Sequence, residues 1–111
     1  MPTPQTLDRT LTALADPTRR AILQRLSSGE ARVTEIARPF SMSLNAVSKH
    51  ILVLERAKLV KRRKVGRDHF LSYRPEPLDV AAEWIASTRN FWASRLDALE
   101  QLLRDEDAAN R

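Results

Sequence analysis

The chain has no cysteine in its 111 residues, which removes disulfides, thiolate metal sites and thiol redox switches together. Glycine is nearly absent too: only Gly29 and Gly66 occur, so there is no glycine-rich loop to cradle a nucleotide phosphate. No uncharged apolar run approaches the length of a bilayer span. The opening Met1-Pro2-Thr3-Pro4 has no basic region followed by an apolar stretch, so neither membrane span nor leader is expected and the protein reads as cytoplasmic. His50 and His69 are the only histidines, and neither has an identifiable nucleophile or orienting carboxylate beside it, so an enzyme is not expected. What is abundant is positive charge: 19 Lys and Arg against 14 Asp and Glu give a net +5. That balance suits a polyanionic partner such as DNA, RNA or a membrane surface. The length suits one domain, residues 1–111, able to bury roughly two thirds of its unfolded surface.

The stretch from Ser43 to Ala57 reads as one amphipathic helix. At about 100° per residue, Leu44, Val47, Leu54 and Lys58 fall within roughly 60° of Ile51 and form the expected buried stripe. Asn45, Ala46, Lys49, Val53 and Arg56 fall opposite. Near the helix start this outward face offers an amide, a methyl and an amine, groups that read base edges in the major groove. Ser43 stands at the N-cap, leaving other first-turn N–H groups to face a phosphate. A polar outer face by itself is equally what any solvated surface helix shows.

Pro2-Thr3-Pro4 reads as a loose arm, after which Leu7, Leu11 and Leu14 mark a first helix. Asp16-Pro17 supplies a cap and a first-position proline for a second helix, with Ile22, Leu23 and Leu26 inward and Ser28-Gly29 as the stop. Arg32-Val33-Thr34 opens a short third helix with Thr34 as its cap, Ile36 and Ala37 inward and Glu35 outward. Pro39 ends that helix at Arg38. Phe40 and Met42 are expected to plug the core beneath the turn. A short helix, a turn and a longer polar-faced helix over about 34–57 make a helix-turn-helix.

Residues 59–74 read as a two-stranded hairpin, Leu59–Val65 and His69–Arg74 about a Gly66-Arg67-Asp68 turn. Six of the eight positions from Lys61 to Asp68 are charged and five are basic. Alone this is a charged edge that resists aggregation; beside a helix-turn-helix it is a wing that reaches flanking phosphates. Pro75-Glu76-Pro77 breaks the strand. From about 78 to 104 no Pro or Gly interrupts a helix whose apolar seam includes Ala82, Ile85, Trp92, Leu96, Leu99 and Leu103. So long a seam is expected to join two copies, together with Leu7 and Leu11 of the first helix. Trp84 and Trp92 are alternatively placed to line a ligand pocket. The tail from Asp105 reads as frayed.

The fold expected is therefore mainly α with a small β-hairpin: four helices, two strands and a fifth helix, a winged helix-turn-helix. Ala13-Leu14-Ala15-Asp16-Pro17-Thr18-Arg19-Arg20-Ala21-Ile22-Leu23, then Ser43 to Leu54, then Leu59-Val60 leading to Gly66-Arg67, resemble in order and spacing the ArsR/SmtB family of winged-helix repressors. The resemblance covers nearly the whole chain. It implies a homodimer that binds an inverted-repeat operator in double-stranded DNA and blocks transcription, with recognition residues Ser43, Asn45, Ala46, Ser48, Lys49 and His50. Thr34 joins these as a DNA contact, and Arg32, Arg63, Lys64 and Arg67 are expected to carry mostly sequence-independent affinity. His50 is open to two roles, donation to a phosphate or an internal bond, and His69 is expected solvated or phosphate-facing. The metal-sensing members carry a cysteine pair where this chain has Glu35-Ile36-Ala37-Arg38, or histidines in a last helix that here has none. No metal or other cofactor is expected, and the inducer is unknown. The alternative is a dimeric winged-helix module that binds protein or RNA through its basic face.

Overall fold

The computed structural model describes residues 4–111, with side chains from Gln5 onward. The elements run α1 (Pro4–Leu14), α2 (Pro17–Leu26), β1 (Ala31–Arg32), α3 (Val33–Ala37), α4 (Leu44–Arg56), β2 (Val60–Val65), β3 (Asp68–Tyr73) and α5 (Glu76–Ala109). This is the mainly helical winged helix-turn-helix, with one strand more than expected. Of the loose arm, Pro2 and Thr3 lie outside the described residues; Pro4 instead begins α1, where its missing N–H is one that no helix would use. The chain divides after Ala81 into two compact units.

In the first unit, Ile22, Leu26, Ile36, Val47, Ile51, Leu54, Leu59 and Leu71 form the centre of one core. Asp16 caps α2 by accepting from the Thr18 and Arg19 N–H groups at 2.8 and 3.1 Å. On α1 the fully buried residues are Thr10 and Ala13. The Thr10 hydroxyl is satisfied by donating to the Thr6 carbonyl at 3.0 Å. Leu7 is half-buried and Leu11 is exposed.

The entry to α3 differs from the expectation. Ala31 and Arg32 pair antiparallel with β3, opposite Leu71 and Phe70, giving a three-stranded sheet of order β1-β3-β2. Helix α3 starts at Val33, with Arg32 at the N-cap and no side-chain cap bond. Thr34 is thus already inside the helix, not its cap. The second edge of β3 offers free backbone donors and acceptors, and pairing them with β1 satisfies both segments beside the buried Ala31 and Leu71.

Helix α4 starts as expected, Ser43 Oγ accepting from the Ala46 N–H at 3.1 Å. Val47, Ile51 and Leu54 are buried, but two members of the expected stripe are not. Leu44 is 52% exposed because the first turn of α4 overhangs a cleft, which Leu44 helps to line. Lys58 lies beyond the helix and is exposed, with a left-handed φ of 63°. There the Lys58 and Leu59 N–H groups reach back to Glu55 and Leu54, both at 3.0 Å, a left-handed C-terminal closure. Val53, on the outward side by periodicity, is half-buried against the core. Phe40 packs beneath the turn as expected, whereas Met42 is exposed.

β2 and β3 pair from Val60↔Tyr73 to Val65↔Asp68. Asp68 therefore belongs to the strand and Gly66-Arg67 form a two-residue turn. The φ of 61° at Gly66 is what such a turn demands at its first position. Helix α5 starts earlier than expected, with Pro77 in its first turn where no donor is lost, and continues to Ala109 rather than fraying at Asp105. In the second unit its Trp84, Ile85, Phe91, Trp92, Leu96, Leu99, Leu102 and Leu103 are exposed by 49–66%. No described helix is long and apolar enough to cross a membrane.

Candidate nucleic-acid interface

Because α4 buries Val47, Ile51 and Leu54, the opposite side is left to Asn45, Lys49, Leu52 and Arg56, all exposed and spaced by three or four residues. Ser43 is exposed, while Ala46 and Ser48 are half-buried on the flanks. Of the two roles open to His50, the structure shows the internal one: its Nδ1 lies 3.2 Å from Arg19 Nη1 and 3.9 Å from Asp16 Oδ1. Arg19 also donates to the carbonyls of Ala13 and Thr12 at 2.8 and 3.0 Å. One guanidinium thus ties the end of α1 and the start of α2 to the middle of α4. Burial pushes the Asp16 carboxyl upward, but the Arg19 and Thr18 N–H bonds, with the charges of His50 and Arg19, outweigh it and hold the group below the usual range.

The sheet register sets Arg32 and Arg63 on either side of Phe70. Both guanidiniums lie over the ring, at 5.5 and 4.9 Å from its centroid, a cation–π arrangement. Arg63 Nη2 donates to Glu30 Oε1 at 2.6 Å, and that bond, with the Arg63 charge, holds the Glu30 carboxyl below its ordinary value against the opposing effect of burial. It raises Arg63 in turn. Arg32 faces Asp68 at 3.9 Å. Arg62 is clasped by Glu55, with Nη2 to Oε1 at 2.6 Å, and its Nη1 lies 3.1 Å from His69 Nδ1.

The wing is therefore not a uniformly free positive finger. Arg62 and Arg63 are paired with carboxylates, while Lys61, Lys64 and Arg67 are exposed. His69 is half-buried and bonded rather than solvated. Between α3, α4 and the wing lies a cleft of about 300 Å³, lined by Arg32, Val33, Thr34, Leu44, Ser48, Arg62, Arg67, Asp68 and His69. Among the described residues no three His, Cys, Asp or Glu side chains gather in a metal-binding group.

A helix-turn-helix domain model matches residues 14–63. The chain is 41% identical over 106 residues to the HTH-type transcriptional regulator Rv2034 of Mycobacterium tuberculosis, covering 96% of both proteins. It is 30% identical over 78 residues to the transcriptional repressor SdpR of Bacillus subtilis, covering 70% of this chain and 87% of that one. A crystal structure of an ArsR family transcriptional regulator superposes with a TM-score of 0.80 at 41% identity, over 84% of this chain and 96% of the other. The chain belongs to the ArsR family of winged helix-turn-helix transcriptional regulators. A further ArsR-family likeness is to the homodimeric winged helix-turn-helix DNA-binding domain of a possible regulator from Mycobacterium bovis, at 27% identity and a TM-score of 0.61, over 83% and 82% of the two chains.

In this ArsR-family regulator, Arg32, Thr34, Ser48 and Arg67 come together around the cleft. Ser43, Asn45 and Lys49 lie along the exposed side of α4, and Lys64 lies on β2. Arg63 and His50 are already engaged by Glu30 and Arg19, Ser43 Oγ accepts the cap bond of α4, and Arg32 faces Asp68. Sequence reasoning passed over Arg19, Glu30, Glu55 and Arg62 as positioning groups. Arg19 had a local signal in its place three residues after a capping Asp; Glu30 had none, because its partner lies 33 residues away.

Proposed function

We propose that this DNA-binding regulator acts as a homodimer that occupies an inverted-repeat operator and represses its own or an adjacent operon. The observation that carries the reading is the exposed Asn45–Lys49 row on a helix whose other side buries Val47, Ile51 and Leu54. The amide of Asn45 suits an adenine edge, Lys49 a guanine or phosphate, and the hydroxyls of Ser43 and Ser48 add contacts. Arg32, Lys64 and Arg67 serve the flanking backbone, and Thr34 adds a hydroxyl at its edge.

Dimerisation is supported by the M. bovis relative and by α5. Ile85, Trp92, Leu96, Leu99 and Leu103 each contribute about 1 kcal/mol or more when a second copy covers them, and Leu7 and Leu11 of α1 are further candidates for contact between copies. A two-fold axis makes the operator an inverted repeat with half-sites about one turn, roughly 34 Å, apart. Repression follows from occupancy of a promoter, with no catalysis, and is supported by the likeness to SdpR. A chromosomal operator places the protein in the cytoplasm.

Selection from a random duplex pool, with sedimentation of the same preparation, tests the reading. The expected outcome is a dimer at micromolar concentration and a palindromic consensus; a strict monomer, or no duplex retained at low salt, overturns it.

A further inference from the structure

We propose that the cleft between α4 and the wing seats one phosphate of the duplex backbone, with His69 as an uncharged donor whose tautomer is set by Arg62. The inference rests on the DNA-binding reading above and names one contact within it. The cleft holds about 300 Å³, and Thr34, Ser48 and Arg67, each with a hydrogen-bond donor, line it beside His69. Its acidic member, Asp68, is turned toward Arg32 at 3.9 Å.

Arg62 lines the same cleft but is not a free cation. Glu55 takes its Nε and Nη2 edge, with Nε at 3.2 and 3.3 Å and Nη2 at 2.6 Å from the carboxylate oxygens. The remaining nitrogen, Nη1, lies 3.1 Å from His69 Nδ1. A guanidinium has only donors, so Nδ1 must present its lone pair and the imidazole proton must sit on Nε2. No hydrogen-bond partner for Nε2 occurs among the described residues. Glu55 holds Arg62, Arg62 selects the tautomer, and His69 is left with one N–H to offer an anion without bringing a charge.

An uncharged donor has a signature that a cation lacks. Binding strengthens, yet no additional counterion is released, so the salt dependence of binding is unaltered. On a duplex recovered from the selection above, His69→Leu is expected to weaken binding about tenfold, with the slope of log K against log salt unchanged. Arg67→Ala is expected to weaken binding and lower that slope by about one. His69→Gln, whose amide nitrogen reaches near the Nε2 position, should retain affinity to within about twofold. Arg62→Gln should weaken binding in the wild-type background and have no further effect once His69→Leu is present.

Replacing backbone phosphates one at a time by uncharged methylphosphonate should reveal one position where His69→Leu adds no further loss. Additive losses at every position, or a slope that falls with His69→Leu, overturn the proposal. Binding of inorganic phosphate to the free protein that His69→Leu abolishes, with no methylphosphonate position at which His69→Leu loses its effect, would assign the cleft to a free anion and overturn the backbone assignment. If wild type binds duplex and His69→Leu binds equally well, this inference alone falls; if wild type binds no duplex, the DNA-binding reading falls with it.

Discussion

Glu30 and Arg63, 33 residues apart in the chain, meet at 2.6 Å, so a cation on β2 is held over the Phe70 ring by a carboxylate that precedes β1. The pair sits at the surface, where Coulomb attraction contributes little to stability. Its consequence lies in binding, because Glu30 competes with any phosphate for the same guanidinium.

Glu30→Gln should therefore strengthen binding to duplexes of every sequence and steepen the salt dependence by about one unit, as one more cation becomes available. A salt titration of binding, wild type against variant, reads this directly. An unchanged slope would show that Arg63 already reaches the backbone while paired, or never reaches it.

Base reading and backbone contact should separate on substitution. Asn45→Ala is expected to relax preference at one operator position at a cost of about 1–3 kcal/mol, leaving the salt slope intact. Arg67→Ala should weaken all sequences alike. Binding measured on a panel of single-base operator variants checks both, and equal loss of contrast from the two substitutions would contradict the division.

Lys58 adopts a φ of 63°, a conformation that hinders any side chain bearing a Cβ. Lys58→Gly should raise unfolding stability in urea by about 0.5–1 kcal/mol, the relief of strain outweighing the greater freedom of the unfolded chain. Duplex affinity should be unaffected. A loss of stability would show that the lysine stem packs usefully at the end of α4.

Asp16 carries the clearest pH signature. Its folded carboxyl is held below the usual range, so the stability it adds is present above the unfolded value and is lost as pH falls through the depressed one. Thermal melts across the range below about pH 5 should show wild type losing stability faster than Asp16→Asn, which keeps the cap but cannot titrate. Parallel curves would show that the charge contributes nothing beyond the cap.

Where sequence and structure agree, the deciding partners are close in the chain. Asp16 bonds to residues two and three positions on, Ser43 to one three positions on, and Gly66 answers a turn only two residues long. Periodicity in α4 likewise identified Val47, Ile51 and Leu54, because all three lie over the middle of the helix, where other elements pack. Leu44 and Lys58 share their direction on the wheel yet sit at the ends, one over a cleft and one past the helix. Direction is a property of the helix, but burial depends on what stands opposite.

The same distinction governs the site. Composition, caps and hydrophobic period, each set by bonds or spacings within a turn or two, were enough to determine a winged helix-turn-helix with Asn45 and Lys49 outward and a cationic hairpin after it. Only the tertiary structure decided which cations are free. Arg63 meets Glu30 over 33 residues, Arg19 meets His50 over 31, and β1 exists because β3 has a second edge to satisfy. Such pairings follow from where the packed elements bring their side chains, and no local pattern encodes that.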